Sequence, residues 1–255
     1  MKQLAHKWDA DFYNDKHSFV YGYGAALVEL LNPQYGEHIL DLGCGSGELT
    51  NDIREYSPNV VGIDSSIDMI EKARQLFPLC NFEIGNASDF TFANQFDAIF
   101  SNAVLHWLTD YKGAIKSMYR NLKTGGRIVL EFGGKNNVQQ IVDGLRKSLL
   151  NKGYIEQAEL NLWYFPSIGE YTTELEKAGF TVSLAQWYSR PTELADENNG
   201  IKDWLLMFCK PFLKGVIEKD INSILNEVQD SLKDKLFINN KWFADYKRIR
   251  IVAHR

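Results

Sequence analysis

Asp41-Leu-Gly-Cys-Gly-Ser-Gly47 is the segment of this 255-residue chain whose residue types and spacing point most directly to chemistry. A strand-like run, His38–Leu42, enters it, and a helical run, Glu48–Tyr56, leaves it. Glycines at 43, 45 and 47 let the backbone turn tightly and approach a ligand with no Cβ between them. The helix behind offers unpaired backbone N–H groups and the positive end of its dipole. The dinucleotide pattern G-x-G-x-x-G needs its third glycine at position 48, where Glu48 stands. The spacing is therefore G-x-G-x-G, which favours a different nucleotide-like ligand. Asp64 ends the second strand, 23 residues after Asp41. A carboxylate there can accept hydrogen bonds from both hydroxyls of a ribose. It could also cap the next helix, although Ser65 and Ser66 already supply caps. Asp41 either orients the glycine loop or faces a cationic part of the ligand.

A second group follows the fourth strand and the late strands. His106, beside Trp107, stands where substrates sit in open α/β sheets, as a base or as a packing residue. His17 in the N-terminal segment has the same two readings. Trp8, Tyr13, Tyr21 and Tyr23 make an aromatic lead-in that packs or walls off a cation. Arg190, at the end of a late strand, is a surface charge pair or a two-point clamp for a carboxylate. Lys241–Arg255 holds five Lys or Arg against one Asp. Its alternation reads more simply as a strand than as a phosphate-binding patch. The cysteines Cys44, Cys80 and Cys209 show no C-x-x-C spacing, so neither a metal site nor a disulfide framework is indicated.

These residues need a scaffold, and the alternation of elements supplies one. Strand runs at 38–42, 59–63, 81–84, 97–101 and 127–132 alternate with helical runs at 48–56, 66–77 and 111–122. Further helices are expected at 138–151 and 168–178, with late strands at 180–189 and 246–252. Such alternation means βαβ units, right-handed crossovers and ligand-binding loops on one sheet edge. The expected fold is α/β: a doubly wound, mostly parallel seven-stranded sheet with a helical insert as lid. Residues 1–35 are expected as an N-terminal helical segment covering the ligand site, 36–191 and 241–255 as the sheet domain, and 192–240 as the insert, either a lid or mere cover for the sheet.

Composition limits the partners. The chain is 45% apolar, 24% charged and 13% aromatic, ordinary for a globular protein. A formal net charge of −5 gives no basic footprint for nucleic acid. No run free of Asp, Glu, Lys and Arg exceeds twelve residues, too short for a membrane span. The first residues have no apolar core of a secretion signal, and a cytoplasmic location is expected.

The four segments Asp41–Gly47, Val61–Ile70, Phe96–Trp107 and Leu122–Arg127 together resemble a class I S-adenosylmethionine-dependent methyltransferase, over about residues 36–133. A narrower similarity, through Trp8-Asp-Ala, Leu105-His-Trp107, Ser189–Glu193, Asp203-Trp-Leu and Asp245–Arg250, is to the trans-aconitate methyltransferase-like (methyltransferase type 11) branch. The resemblance implies S-adenosyl-L-methionine as cofactor and a small-molecule acceptor. It also implies roles: Asp41, Gly43, Cys44, Gly45 and Gly47 around the methionine part, Asp64 on the ribose, Ser65 and Met69 beside the adenine. Asn86 and Ala87 match an Asp-Ala pair that reads the adenine edge, with a neutral amide replacing the charged acceptor. Asn102 would contact the methionine amino end. A carboxylate acceptor would be ionised at neutral pH and need no base; a hydroxyl or amine would need one, His106 or His17. A non-catalytic cofactor-binding protein on the same fold is the alternative.

Overall fold

Short β-branched strands and amphipathic helices assemble as the alternation predicts, in a computed structural model that describes residues 19–255. Trp8, Tyr13 and His17 lie outside the described residues, as do the side chains of Tyr21 and Tyr23. Helix α1 (Phe19–Leu31) precedes β1 (Ile39–Leu42), α2 (Glu48–Tyr56), β2 (Val60–Asp64), α3 (Ile67–Leu76) and β3 (Asn81–Ile84). Then come β4 (Phe96–Asn102), a 3-10 turn (Leu105–Trp107), α4 (Tyr111–Asn121) and β5 (Leu122–Gly133). After α5 (Gln139–Asn151), α6 (Ile155–Ala158) and α7 (Ile168–Lys177) runs β6 (Thr181–Ser189); the last strand is β10 (Lys247–His254). The sheet order is β3-β2-β1-β4-β5-β10-β6. Strand β10 lies antiparallel between β5 and β6, and every other pairing is parallel.

Each sheet face is covered because the strand residues alternate between two apolar sets. Leu27, Val28 and Leu31 of α1 and Ile53 of α2 pack on Ile39, Val60, Phe100 and Val129. Ile115 and Met118 of α4 and Tyr171 and Leu175 of α7 pack on Leu40, Ile99, Ile128 and Ile251 from the other side. Helix α1 comes close enough to α2 that a Cβ on Gly24 would sit 2.5 Å from Leu49. Helix α7 starts with a reciprocal cap, Ser167 to Glu170, as its sequence allows.

The insert differs from the all-helical segment expected over 192–240. Helices α8 (Gly200–Phe208), α9 (Lys210–Leu213) and α10 (Glu218–Leu236) are present, but strands flank them. Strands β7 (Thr192–Glu193), β8 (Phe237–Ile238) and β9 (Lys241–Ala244) pair as a small antiparallel sheet in the order β7-β9-β8. The basic run after Lys241 is thus two strands broken at Asp245 and Tyr246. Its charges have partners within the chain: Lys241 with Glu193 at the surface, Arg250 with Glu131, and Arg255 with the carbonyls of Tyr119 and Leu122. The insert also shares a core with α5 and α6: Ile141, Leu145 and Leu149 meet Ile224, Leu225, Val228, Trp204 and Phe212. The apolar stripe of α5 therefore faces the insert. Among the described residues no helix is long and apolar enough to cross a membrane.

Candidate functional site

The chain leaves β1 through a loop that β2 holds in place. The N–H groups of Gly43 and Cys44 both donate to Ile63 O, at 2.7 and 2.9 Å. Gly43 has φ +79°, and a Cβ there would overlap the methyl groups of Val104, so packing alone requires glycine. Gly45 has φ +54° and a different reason: a Cβ there would meet no atom within 4 Å. Its open side is space left for something else. Helix α2 begins at Gly47, which has no side chain to cap it, so the first-turn N–H groups are available at the loop.

Asp64 bridges the two βα turns. Its carboxylate accepts from Gly45 N at 3.1 Å and from Ser66 N at 2.9 Å, and burial pushes its pKa up against those bonds. Ser66 is the cap of α3, accepting from Met69 N at 3.3 Å, while Ser65 is exposed and Met69 buried. Asp41 is 2% exposed, and Thr50 Oγ1 donates to it at 2.6 Å. Burial first, then the negative charges of Asp64 and Glu48, push its pKa up to about 7. The Cys44 thiol is pushed up as well, by burial and by the same carboxylates. Gly85 N donates to Asp64 O at 2.9 Å, which docks the turn after β3 beside this cluster. In that turn Ala87 is buried, and Asn86 Oδ1 accepts from Ser88 N at 3.0 Å. The amide oxygen expected to face a ligand is thus already turned onto its own loop. Asn102 ends β4, and the next residue, Ala103, has φ +62° with its N–H on Glu131 O at 2.7 Å.

The two acceptor-side candidates, His106 and Arg190, are both buried. His106 is 7% exposed; Gly133 N donates to its Nδ1 at 3.3 Å, and its ring stacks on Phe165 at 5.6 Å. Burial and the nearby Arg248 hold its pKa well below the usual value. The contact with Gly133 N occupies Nδ1, and the ring packs behind the turn that follows β5. Arg190 is buried, and its Nη1 donates to Glu131 Oε1 at 2.5 Å. Its first partner is thus an internal carboxylate, which Arg250 Nε and Tyr188 Oη also reach, at 2.7 and 2.6 Å. Arg248 is buried with its guanidinium 4.8 Å from the Tyr246 ring, and Arg190 N donates to Tyr246 O at 2.8 Å.

A family profile described as a methyltransferase domain matches residues 40–130. A methyltransferase of Schizosaccharomyces pombe, itself uncharacterized, is 35% identical over 97% of this chain and 98% of its own. The chain belongs to the class I S-adenosylmethionine-dependent methyltransferases. The trans-aconitate 2-methyltransferase of Klebsiella pneumoniae is 26% identical, over 86% of each chain. The YcgJ protein of Bacillus subtilis shares the fold, with a TM-score of 0.62 at 17% identity over 94% of this chain and 99% of that one.

The cofactor of this methyltransferase is S-adenosyl-L-methionine, and the residues at the glycine loop fit it. The space beyond Gly45 would be filled by a Cβ, the α2 N-terminus is uncapped by a side chain, and Asp64 stands across the loop. Two buried charged residues beside Arg190 and Tyr246 were not singled out from the sequence. Glu131 could have been found as the lone acid in the apolar run Ile128–Phe132. Arg248 carried no signal beyond its place in a basic strand.

Proposed function

We propose that this methyltransferase moves the methyl group of S-adenosylmethionine to a carboxylate of a small molecule. The loop residues Asp41, Gly43, Cys44, Gly45 and Gly47 and Asn102 hold the methionine end. Asp64 accepts from the ribose hydroxyls, with Ser65 and Met69 beside the adenine and Asn86 and Ala87 at its edge. The observation that carries the acceptor class is electrostatic. Two buried arginines lie near Tyr246 where β5 ends: Arg248, with its guanidinium 4.8 Å from the Tyr246 ring, and Arg190, whose backbone N–H donates to Tyr246 O while its guanidinium pairs with Glu131. Buried arginine charge at this end of the sheet favours an anionic acceptor.

The bound cofactor supplies a methyl group already activated by its sulfonium. The chain must align the acceptor and exclude water. A carboxyl group with an ordinary pKa of about 4 is ionised at pH 7, so no base is needed. The insert acts as the lid: Trp204 Nε1 of α8 donates to Tyr246 Oη at 2.8 Å, which fastens it to the arginine cluster. The relatives named for trans-aconitate support the same acceptor class.

The test supplies methyl-labelled cofactor with trans-aconitate and other polycarboxylates, beside phenol, alcohol and amine acceptors. Label should appear in a base-labile ester, at a rate flat from about pH 6.5 to 8.5, well above a carboxyl pKa of about 4. Label in a base-stable product, with a rate that climbs with pH and is lost in His106→Gln, would overturn the reading.

A further inference from the structure

Helices α4 and α7 leave a groove of about 350 Å³ between them, and none of its residues belongs to the glycine loop. Its floor is apolar, made by Ile115 and Tyr119 of α4 and by Ala178, which ends α7. Its rim is cationic: Lys112, Lys116 and Arg120 of α4 stand across from Lys177 of α7. Among the described residues that line it, Glu174 is the one acid. It holds two of the cations, at 3.1 Å from Lys112 Nζ and 2.8 Å from Lys177 Nζ. Arg120 donates to Phe90 O at 2.6 Å and lies 3.4 Å from the exposed Asp89. Lys116 is exposed and has no ion-pair partner among the described residues. The guanidinium of Arg255 lies 4.5 Å from the Tyr119 ring and adds a cation beside the floor. This positive rim belongs to a chain whose formal net charge is −5.

The spacing says what the rim can hold. Lys112, Lys116 and Arg120 recur at every fourth residue of α4, so they form one row with steps of about 6 Å, about 12 Å in all. A lone phosphate or carboxylate needs its donors aimed at one point. A row needs a ligand with several negative charges along its length. We propose that the α4–α7 groove is a docking surface for a partner protein, which presents to it an acidic amphipathic helix. Glutamates four residues apart on a helix repeat at the same step of about 6 Å, so their carboxylates match the row. An apolar side chain of that helix fills the floor between Ile115 and Ala178, in the helix-in-groove mode. Nucleic acid fits less well, because Glu174 stands in the groove, the floor is apolar and the whole chain repels a polyanion. The surface is separate from methyl transfer, and the identity of the acceptor plays no part in it.

The test is fluorescence anisotropy with a labelled synthetic helix carrying glutamate at every fourth position and leucines on the same face. A contact this small belongs to the transient class, so the Kd should be on the order of 100 µM at low salt and rise as salt screens the pairs. Lys116→Glu sets like charges against each other and should weaken binding at least about tenfold. Its Tm and its affinity for S-adenosylmethionine should stay those of the wild type, since Lys116 holds nothing in the fold. Lys177→Ala should weaken binding from the opposite wall. A peptide with glutamine in place of glutamate should bind much more weakly. The proposal falls if the acidic helix does not bind the wild type, or binds Lys116→Glu equally well. It also falls if the glutamine peptide matches it or a single-stranded oligonucleotide binds more tightly.

Discussion

Gly45→Ala separates the two reasons a loop can need glycine. At φ +54° an alanine pays the left-handed penalty of about 1–2 kcal/mol, and its methyl group meets no protein atom within 4 Å. In a domain of this size each kcal/mol lowers the Tm by roughly 2–4 °C, so the variant should stay folded with a modest drop. The added methyl projects into the space assigned to the cofactor. Overpacking costs about 1–3 kcal/mol, which corresponds to roughly 5- to 150-fold weaker binding. Gly43→Ala should behave differently, since its methyl overlaps Val104 and the cost falls on stability. Part of that stability should return in the Gly43→Ala, Val104→Ala double variant. Scanning calorimetry reads the first effect and titration calorimetry the second. A Gly45→Ala protein that binds S-adenosylmethionine like the wild type would remove this loop from the cofactor site. If it instead lost as much stability as Gly43→Ala, the inference of open space beyond Gly45 would fail.

Asp64→Ala should raise the cofactor Kd at least tenfold, since hydrogen bonds to a charged group contribute about 1.5–3 kcal/mol each. It should also lower the Tm, because Gly45 N and Ser66 N lose their acceptor; an unchanged Tm would show that the loop is held by other means. Glu131→Gln leaves Arg190 and Arg250 facing an uncharged amide in a buried place and should cost about 3–5 kcal/mol in denaturant unfolding, as breaking a buried ion pair does; a loss below 1 kcal/mol would refute the pairing. Asp41 binds its proton more tightly folded than unfolded, so its contribution is greatest at low pH and falls as pH rises from about 4 to 7. The ceiling, about three pKa units, is near 4 kcal/mol. Ligand-free Asp41→Asn should therefore lack this decline and exceed the wild type in stability at pH 8; the reverse order would mean Asp41 is stabilised by its charge.

Much of the fold could be read locally. Helix α2 spans the residues its sequence indicated, β3 likewise, and α3 starts one residue after its cap Ser66, because periodicity, caps and glycine turns act over a few neighbouring residues. The glycine loop was recognisable for the same reason: φ above zero is a property of single residues. Distant pairings were not. Nothing around Asp64 announces that its carboxylate holds Gly45 N, nineteen residues earlier, and nothing near Arg190 names Glu131, 59 residues away. His106 kept two readings in the sequence, and only the fold showed it buried against Gly133 and Phe165, beside Arg248, which lowers its pKa. The helix α5 was expected, but whether its apolar side faces sheet or insert depends on which apolar surface remains uncovered after the strands have paired. The sequence by itself determined the elements of the main sheet, the glycine turn and the cofactor class, but not the small sheet of the insert. Charge states, ion-pair partners and the shared core of the insert were decided by the tertiary structure, since burial and Coulomb interaction depend on distance in space and not on separation along the chain.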